Sequence, residues 1–244
     1  MRYYLDCGNT HIKLAAWFRS KTGVIVWQIL GRFKDAESCI AFLKTKKKCT
    51  SLVGVSVTRQ HELIVAYLQS KHVDVNIYSA QTPLPFTLKY DRLAFGHDRI
   101  LGLAGAQFLY KNSTTLVIDA GTCIKYQILT QDGTAHGGAI SPGIEMRLKS
   151  MAAYTHALPE LPFNASFYNE TAQTTDEALW AGAQTAVLKE IEGFVQYYNS
   201  HWPNLNVVIT GGYASYLSKG FKNRYFEVPD LLFFGLYALF DHPK

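Results

Sequence analysis

The spacing of apolar and polar positions along this chain changes several times, and each change marks an element. Residues 2–5 are β-favouring and stop at the turn cluster Asp6-Cys7-Gly8-Asn9-Thr10, after which 12–18 predicts a second strand and 24–30 a third. Helical patterns over 35–47 and 59–70 then alternate with strand-like runs at 52–57 and 73–78. A proline-bearing stretch over 82–86 leads through a loop at 88–97 into a Leu- and Ala-rich helix over 97–110.

The same order then begins again. A strand over 115–118 ends in Asp119-Ala120-Gly121-Thr122, a second covers 123–129, Asp132-Gly133 is a turn, and 135–140 is a third strand. After Ser141-Pro142-Gly143 come helices over 144–154 and 176–200, a strand over 205–209 closing in Thr210-Gly211-Gly212, a short helix, a strand over 225–228 and a helix over 231–240. Superposing the two starts aligns Asp6-Cys7-Gly8-Asn9 with Asp119-Ala120-Gly121-Thr122, an offset of 113 positions in a chain of 244. Solenoid repeats recur every ~20–50 residues, so this offset predicts a duplicated domain. The expected fold is α/β, with two halves at 1–111 and 112–244, each a mixed central sheet with helices packed around it.

Composition narrows the picture. With 48% hydrophobic and 14% aromatic residues, the chain is too apolar for a disordered protein. A net charge of +5 favours anionic ligands without being a nucleic-acid footprint, and the basic run over 44–48 reads as a solvated helix terminus. Cys7, Cys39, Cys49 and Cys123 form no CxxC pair and support neither a zinc site nor a disulfide framework. The longest apolar stretch, 231–240, is about half the ~20 residues that cross a bilayer, and the first residues carry no export signal. A cytoplasmic protein with reduced thiols, and with no membrane or nucleic-acid partner, is expected.

Each paired turn sets a carboxylate at a strand end, then a Gly that permits a sharp backbone turn, then a short polar side chain. Turned N–H groups suit phosphate oxygens while the carboxylate orients hydrated Mg²⁺. Two such turns would clamp a nucleoside triphosphate, with Lys13 adding a point charge and Thr210-Gly211-Gly212 approaching the nucleoside end. No GxxxxGK[ST] and no helix-opening GxGxxG occurs, which excludes a P-loop and disfavours a dinucleotide site.

These turns resemble the two phosphate motifs of the superfamily that holds acetate kinase, sugar kinases, heat-shock chaperones and actin, built on duplicated ribonuclease H-like halves. Six further features follow in one order: the Asn9-Thr10-x-x-Lys13 continuation, Gly96-His97-Asp98-Arg99, the 137–143 Gly-Gly-Ala-Ile-Ser-Pro-Gly run, Ala157-Leu158-Pro159, Thr175-Asp176-Glu177-Ala178 and Thr210-Gly211-Gly212. Together they resemble type III pantothenate kinase. The resemblance implies ATP-dependent phosphorylation of pantothenate to 4'-phosphopantothenate, the first step of coenzyme A synthesis, by a cytoplasmic homodimer using Mg²⁺ and a monovalent cation, K⁺ or NH₄⁺. It places Asp98 as catalytic base; Asp6, Gly8, Asn9, Thr10, Lys13, Gly121, Thr122, Gly211 and Gly212 on ATP; and Tyr90, Gly96, His97, Asp98, Arg99 and Thr175 on the acceptor. It also links Asp6 to Mg²⁺ through water and Asp119 to the monovalent cation. The segment from Tyr90 to Asp98 departs from the family's pattern, lacking its Asn-Pro and one residue of its length. The competing readings are a non-catalytic transcriptional accessory protein on the same fold and a kinase of another small alcohol or sugar. A retained acceptor base at Asp98 argues against the first.

Overall fold

The first hairpin pairs β1 (Arg2–Cys7) with β2 (Ile12–Arg19) in the computed structural model, which describes residues 1–46, 49–222 and 224–242. It is followed by β3 (Ile25–Phe33), α1 (Ala36–Lys44), β4 (Ser51–Ser56), α2 (Gln60–Gln69) and β5 (Asp74–Ile77), and the strands form a five-stranded sheet of order β3-β2-β1-β4-β5. Helix α1 begins where Asp35 caps it, accepting from the Ser38 N–H at 2.8 Å. It ends at Lys44, and Lys47 and Lys48 of the basic run lie outside the described residues.

Alternation along β1 decides what each face covers. Tyr3, Leu5 and Cys7 pack into one core with Cys39 and Leu43 of α1 and Ile64 and Leu68 of α2. Tyr4 points the other way, 4.8 Å from the ring of Trp27, which meets Phe233 at 5.4 Å. That face is covered by α3 (His97–Leu109), reached through the two-residue strand β6 (Thr87–Leu88), and by α8 (Leu231–Phe240). The two helices approach closely through glycine: a Cβ on Gly105 would stand 2.3 Å from the Leu231 carbonyl oxygen, and one on Gly235 2.1 Å from that of Leu101.

The second set of elements is β7 (Thr115–Ala120), β8 (Cys123–Leu129), β9 (Thr134–Ala135), β10 (Ile140–Pro142), α4 (Ile144–Ala153), α5 (Thr175–Trp180), a π-helical turn (Ala181–Thr185), α6 (Ala186–His201), β11 (Asn206–Thr210), α7 (Ala214–Gly220) and β12 (Phe226–Glu227). Its sheet runs β12-β11-β7-β8-β9, with β10 also on β8. This repeats the first plan, a central strand between an antiparallel hairpin partner and a parallel neighbour. The third strand expected over 135–140 is split into β9 and β10. Between them the chain hugs β8 so tightly that a Cβ on Gly138 would lie 1.9 Å from the Tyr126 carbonyl oxygen. The single helix expected over 176–200 is interrupted by the π-turn.

The chain divides into two compact units, Met1–Leu109 with Asp230–Lys244, and Tyr110–Pro229. Helix α8, which the repeat assigns to the second half, therefore packs with the first unit, because its apolar surface covers α3 and the Tyr4 face of β1.

Candidate active site

In the first unit, strand register opposes Asp6 to Lys13, whose Nζ lies 3.4 Å from Asp6 Oδ2. Asp6 shares the face of Tyr4 and is only 8% exposed. The Gly8 N–H donates to the His11 carbonyl at 3.1 Å and closes the turn, leaving Asn9 and Thr10 exposed at its tip. Gly8 does not use the left-handed backbone expected of it, and neither does Gly121. A Cβ would meet its nearest neighbour at 3.3 Å on Gly8 and 3.9 Å on Gly121. What glycine leaves at both positions is a bare backbone that another molecule can approach closely.

The start of α3 lies at the same end of that sheet. Cys7 at the end of β1 is the register partner of Ser56 at the end of β4, and the Ser56 carbonyl lies 3.3 Å from Nδ1 of His97. A cavity of about 390 Å³ opens there, lined by Ser56–Arg59 and Leu93–His97, and Asp98 follows directly in the first turn of α3. The Arg99 N–H donates to Asp98 Oδ1 at 2.8 Å, so the carboxylate is oriented by backbone. Gly96 makes room for it, since a Cβ there would stand 2.8 Å from the same oxygen. The Arg99 side chain is buried, its guanidinium 4.0 Å from the centre of the Phe95 ring and 5.9 Å from that of Tyr90. Phe95 also meets Tyr90 edge-on at 5.1 Å, so Tyr90 and Arg99 gather around a ring that the motif reading did not single out.

In the second unit, the β7–β8 hairpin reproduces the first. Gly121 N–H donates to Cys123 O at 3.0 Å, two residues on where Gly8 reaches three residues on to His11, so the second turn is one residue shorter. Register places Asp119 between Lys125 on β8 and Thr210 on β11, and Lys125 Nζ donates to Asp119 Oδ2 at 3.0 Å. Lys125 was not among the residues expected from sequence, although it stands 112 positions after Lys13. Gly211 holds the second turn from behind: at φ +93°, a Cβ on it would lie 2.5 Å from Ala120 O and 2.7 Å from Asp119 Oδ1. Its glycine is therefore demanded by packing on the β7–β8 turn, whereas Gly212 faces open space.

Thr175 opens α5 and is exposed, and the helix is capped by Thr174, which accepts from the Glu177 N–H at 3.2 Å. Behind α5, the π-turn buries Gln184, which exchanges two 2.9 Å hydrogen bonds with the backbone of Asn164 and pins the preceding loop. A separate knot centres on Glu190, which accepts from Tyr126 at 2.7 Å and Ser141 at 2.6 Å and pairs with Arg147.

The sequence profile of type III pantothenate kinases matches residues 3–197. The chain belongs to the type III pantothenate kinase family. Members named type III pantothenate kinase from Flavobacterium psychrophilum and Porphyromonas gingivalis are 33% and 35% identical to it, over 98% of this chain and 98% and 97% of theirs. Among solved structures, one described as a conserved Baf family transcriptional activator from Campylobacter jejuni has a TM-score of 0.61 at 20% identity, covering 97% of this chain and 96% of its own. A glucokinase from an Antarctic psychrotroph has a TM-score of 0.50 at 12% identity, each chain 99% covered. At these identities the structures establish the fold, that of the actin-like sugar kinases, and leave activity to the family. Among the described residues no helix is long and apolar enough to cross a membrane.

Proposed function

We propose that this type III pantothenate kinase family member phosphorylates pantothenate with ATP through Asp98 and two Asp–Lys hairpin turns. The observation that carries the reading is the repetition of the turn: in each unit a Gly N–H closes a β-hairpin whose register sets a lysine against an aspartate, the second turn being one residue shorter. Asp6, Gly8, Asn9, Thr10, Lys13, Gly121, Thr122, Gly211 and Gly212 bind ATP. Backbone N–H groups and Lys13 take the phosphate oxygens and hold the γ-phosphoryl group for in-line attack.

Asp98 accepts the proton of the pantothenate hydroxyl. A carboxylate in a helix's first turn is favoured by the positive end of the helix, so the base stays charged and pointed. Tyr90, Gly96, His97, Arg99 and Thr175 shape the acceptor pocket, Arg99 as the positive charge toward the pantothenate carboxylate. A homodimer is part of the reading; Met146 on α4 and Tyr154 at its C-cap are exposed apolar side chains.

The donor set at Asp6 fits magnesium. Mg²⁺ keeps several waters and is held by one or two carboxylates with substrate phosphates, so no cage of three acidic or imidazole ligands is needed, and none occurs among the described residues. Bound with ATP, the ion neutralises charge on the phosphate oxygens. The monovalent cation does not fit at Asp119 in the same way. Lys125 already holds one Asp119 oxygen at 3.0 Å and Gly211 crowds the other, so a directly coordinated K⁺ would stand close to an ammonium. Two unit charges 4 Å apart repel by about 4 kcal/mol at an effective dielectric of 20.

Purified protein with MgATP and pantothenate should release ADP and yield phosphopantothenate by mass spectrometry, in proportion to each other. Turnover with another alcohol such as glucose and none with pantothenate would overturn the substrate.

A further inference from the structure

The resemblance assigns a free monovalent cation to Asp119, yet this chain brings its own. Register sets Lys125 against Asp119 across β7, and the two side chains are 20% and 14% exposed. On the remaining side Gly211 closes over Asp119 Oδ1. The carboxylate is thus bounded by backbone on one oxygen and by an ammonium on the other. The first turn has the same arrangement in Lys13 and Asp6, at 3.4 Å.

The chemistry of the two candidate cations is close. A lysine ammonium is a compact, strongly hydrated point charge with three donors, and NH₄⁺ is the same group without the carbon stem. K⁺ and NH₄⁺ differ from it in being lost by dilution, whereas Lys125 is held at its carboxylate by the backbone of β8. We propose that Lys125 Nζ occupies the monovalent-cation position beside the second phosphate turn, so that nucleotide binding by this chain does not require added K⁺ or NH₄⁺. The inference rests on the ATP-binding reading of the turns but not on pantothenate as acceptor.

The test is the dissociation constant of MgADP for the full-length protein, measured by titration calorimetry in KCl and in tetramethylammonium chloride at equal ionic strength, so that screening is constant. Wild-type protein should bind within about twofold in the two salts. Lys125→Met, checked for folding by circular dichroism, should bind about tenfold or more weakly in tetramethylammonium chloride and recover when KCl or NH₄Cl is supplied. A wild-type affinity that falls more than about fivefold without K⁺ overturns the proposal. So does a Lys125→Met variant that binds normally in both salts, or one whose loss neither K⁺ nor NH₄⁺ recovers. Absence of any MgADP binding by wild type would remove the nucleotide reading beneath it. Failure of pantothenate alone as acceptor would leave the proposal standing.

Discussion

Asp98 is the base in the proposed reaction. Its carboxylate is positioned by the Arg99 N–H at 2.8 Å, and an amide of the same shape keeps the geometry without the basicity. Asp98→Asn should lower kcat by about 10²- to 10⁴-fold. MgADP affinity, measured in parallel by calorimetry, should stay unchanged. Glu190 offers a structural counterpart. Burial pushes its carboxyl up, but hydrogen bonds from Ser141, Arg147 and Tyr126 together outweigh that and hold it below the ordinary glutamate value of 4.5. A lowered folded value means stability that is present above about pH 4.5 and lost as pH falls through the folded pKa. Glu190→Gln should cost roughly 1–3 kcal/mol in urea unfolding at neutral pH, with a shallower decline on acidification than wild type. The turns at Asp6 and Asp119 were legible in the sequence because each carries a Gly two positions on, whereas Asp98 was singled out only by the family resemblance. Lys125, Phe95 and Glu190 were not, because their partners are set by strand register and helix packing between residues that no short motif connects.

Among the elements, the α3–α8 crossing carries the most specific expectation. Gly105 and Gly235 allow backbone to lie where any side chain would overlap a carbonyl oxygen at 2.1–2.3 Å. Gly105→Ala should destabilise by about 1–3 kcal/mol, read as a lower thermal midpoint, because one extra methyl forces the helices apart. Gly193→Ala is the matched control: no atom lies within 4 Å of its Cβ position, so it should leave the midpoint the same or slightly raised. Most elements were visible from periodicity. Helix α8 was expected over the residues it occupies, since an apolar run that long can only be a buried helix here. The π-turn was not visible, because Ala181-Gly182-Ala183-Gln184-Thr185 is compatible with either helix, and the choice is made by Gln184 reaching the Asn164 backbone. Nor was the split of β9 from β10, which depends on how closely Gly138 approaches Tyr126.

On the scale of the whole molecule, duplication was the strongest signal, and both sheets set a central strand between an antiparallel hairpin partner and a parallel neighbour. What linear reading could not supply is that one unit is continuous and the other is not. The continuous one, Tyr110–Pro229, should fold as an isolated fragment with dispersed amide resonances. A fragment ending at Leu109 should not, until a peptide covering Asp230–Lys244 is added, because it leaves the Tyr4 face of β1 and the Gly105 face of α3 uncovered. This discontinuity orders events during synthesis on the ribosome. The segment carrying Asp98 leaves the exit tunnel early, but the helix that completes its packing is translated after the whole intervening unit, a delay on the order of ten seconds at about 5–20 residues per second. The turn that carries Asp98 therefore completes its packing late, and a nascent chain stalled before Asp230 would hold a finished second unit and an unfinished first one.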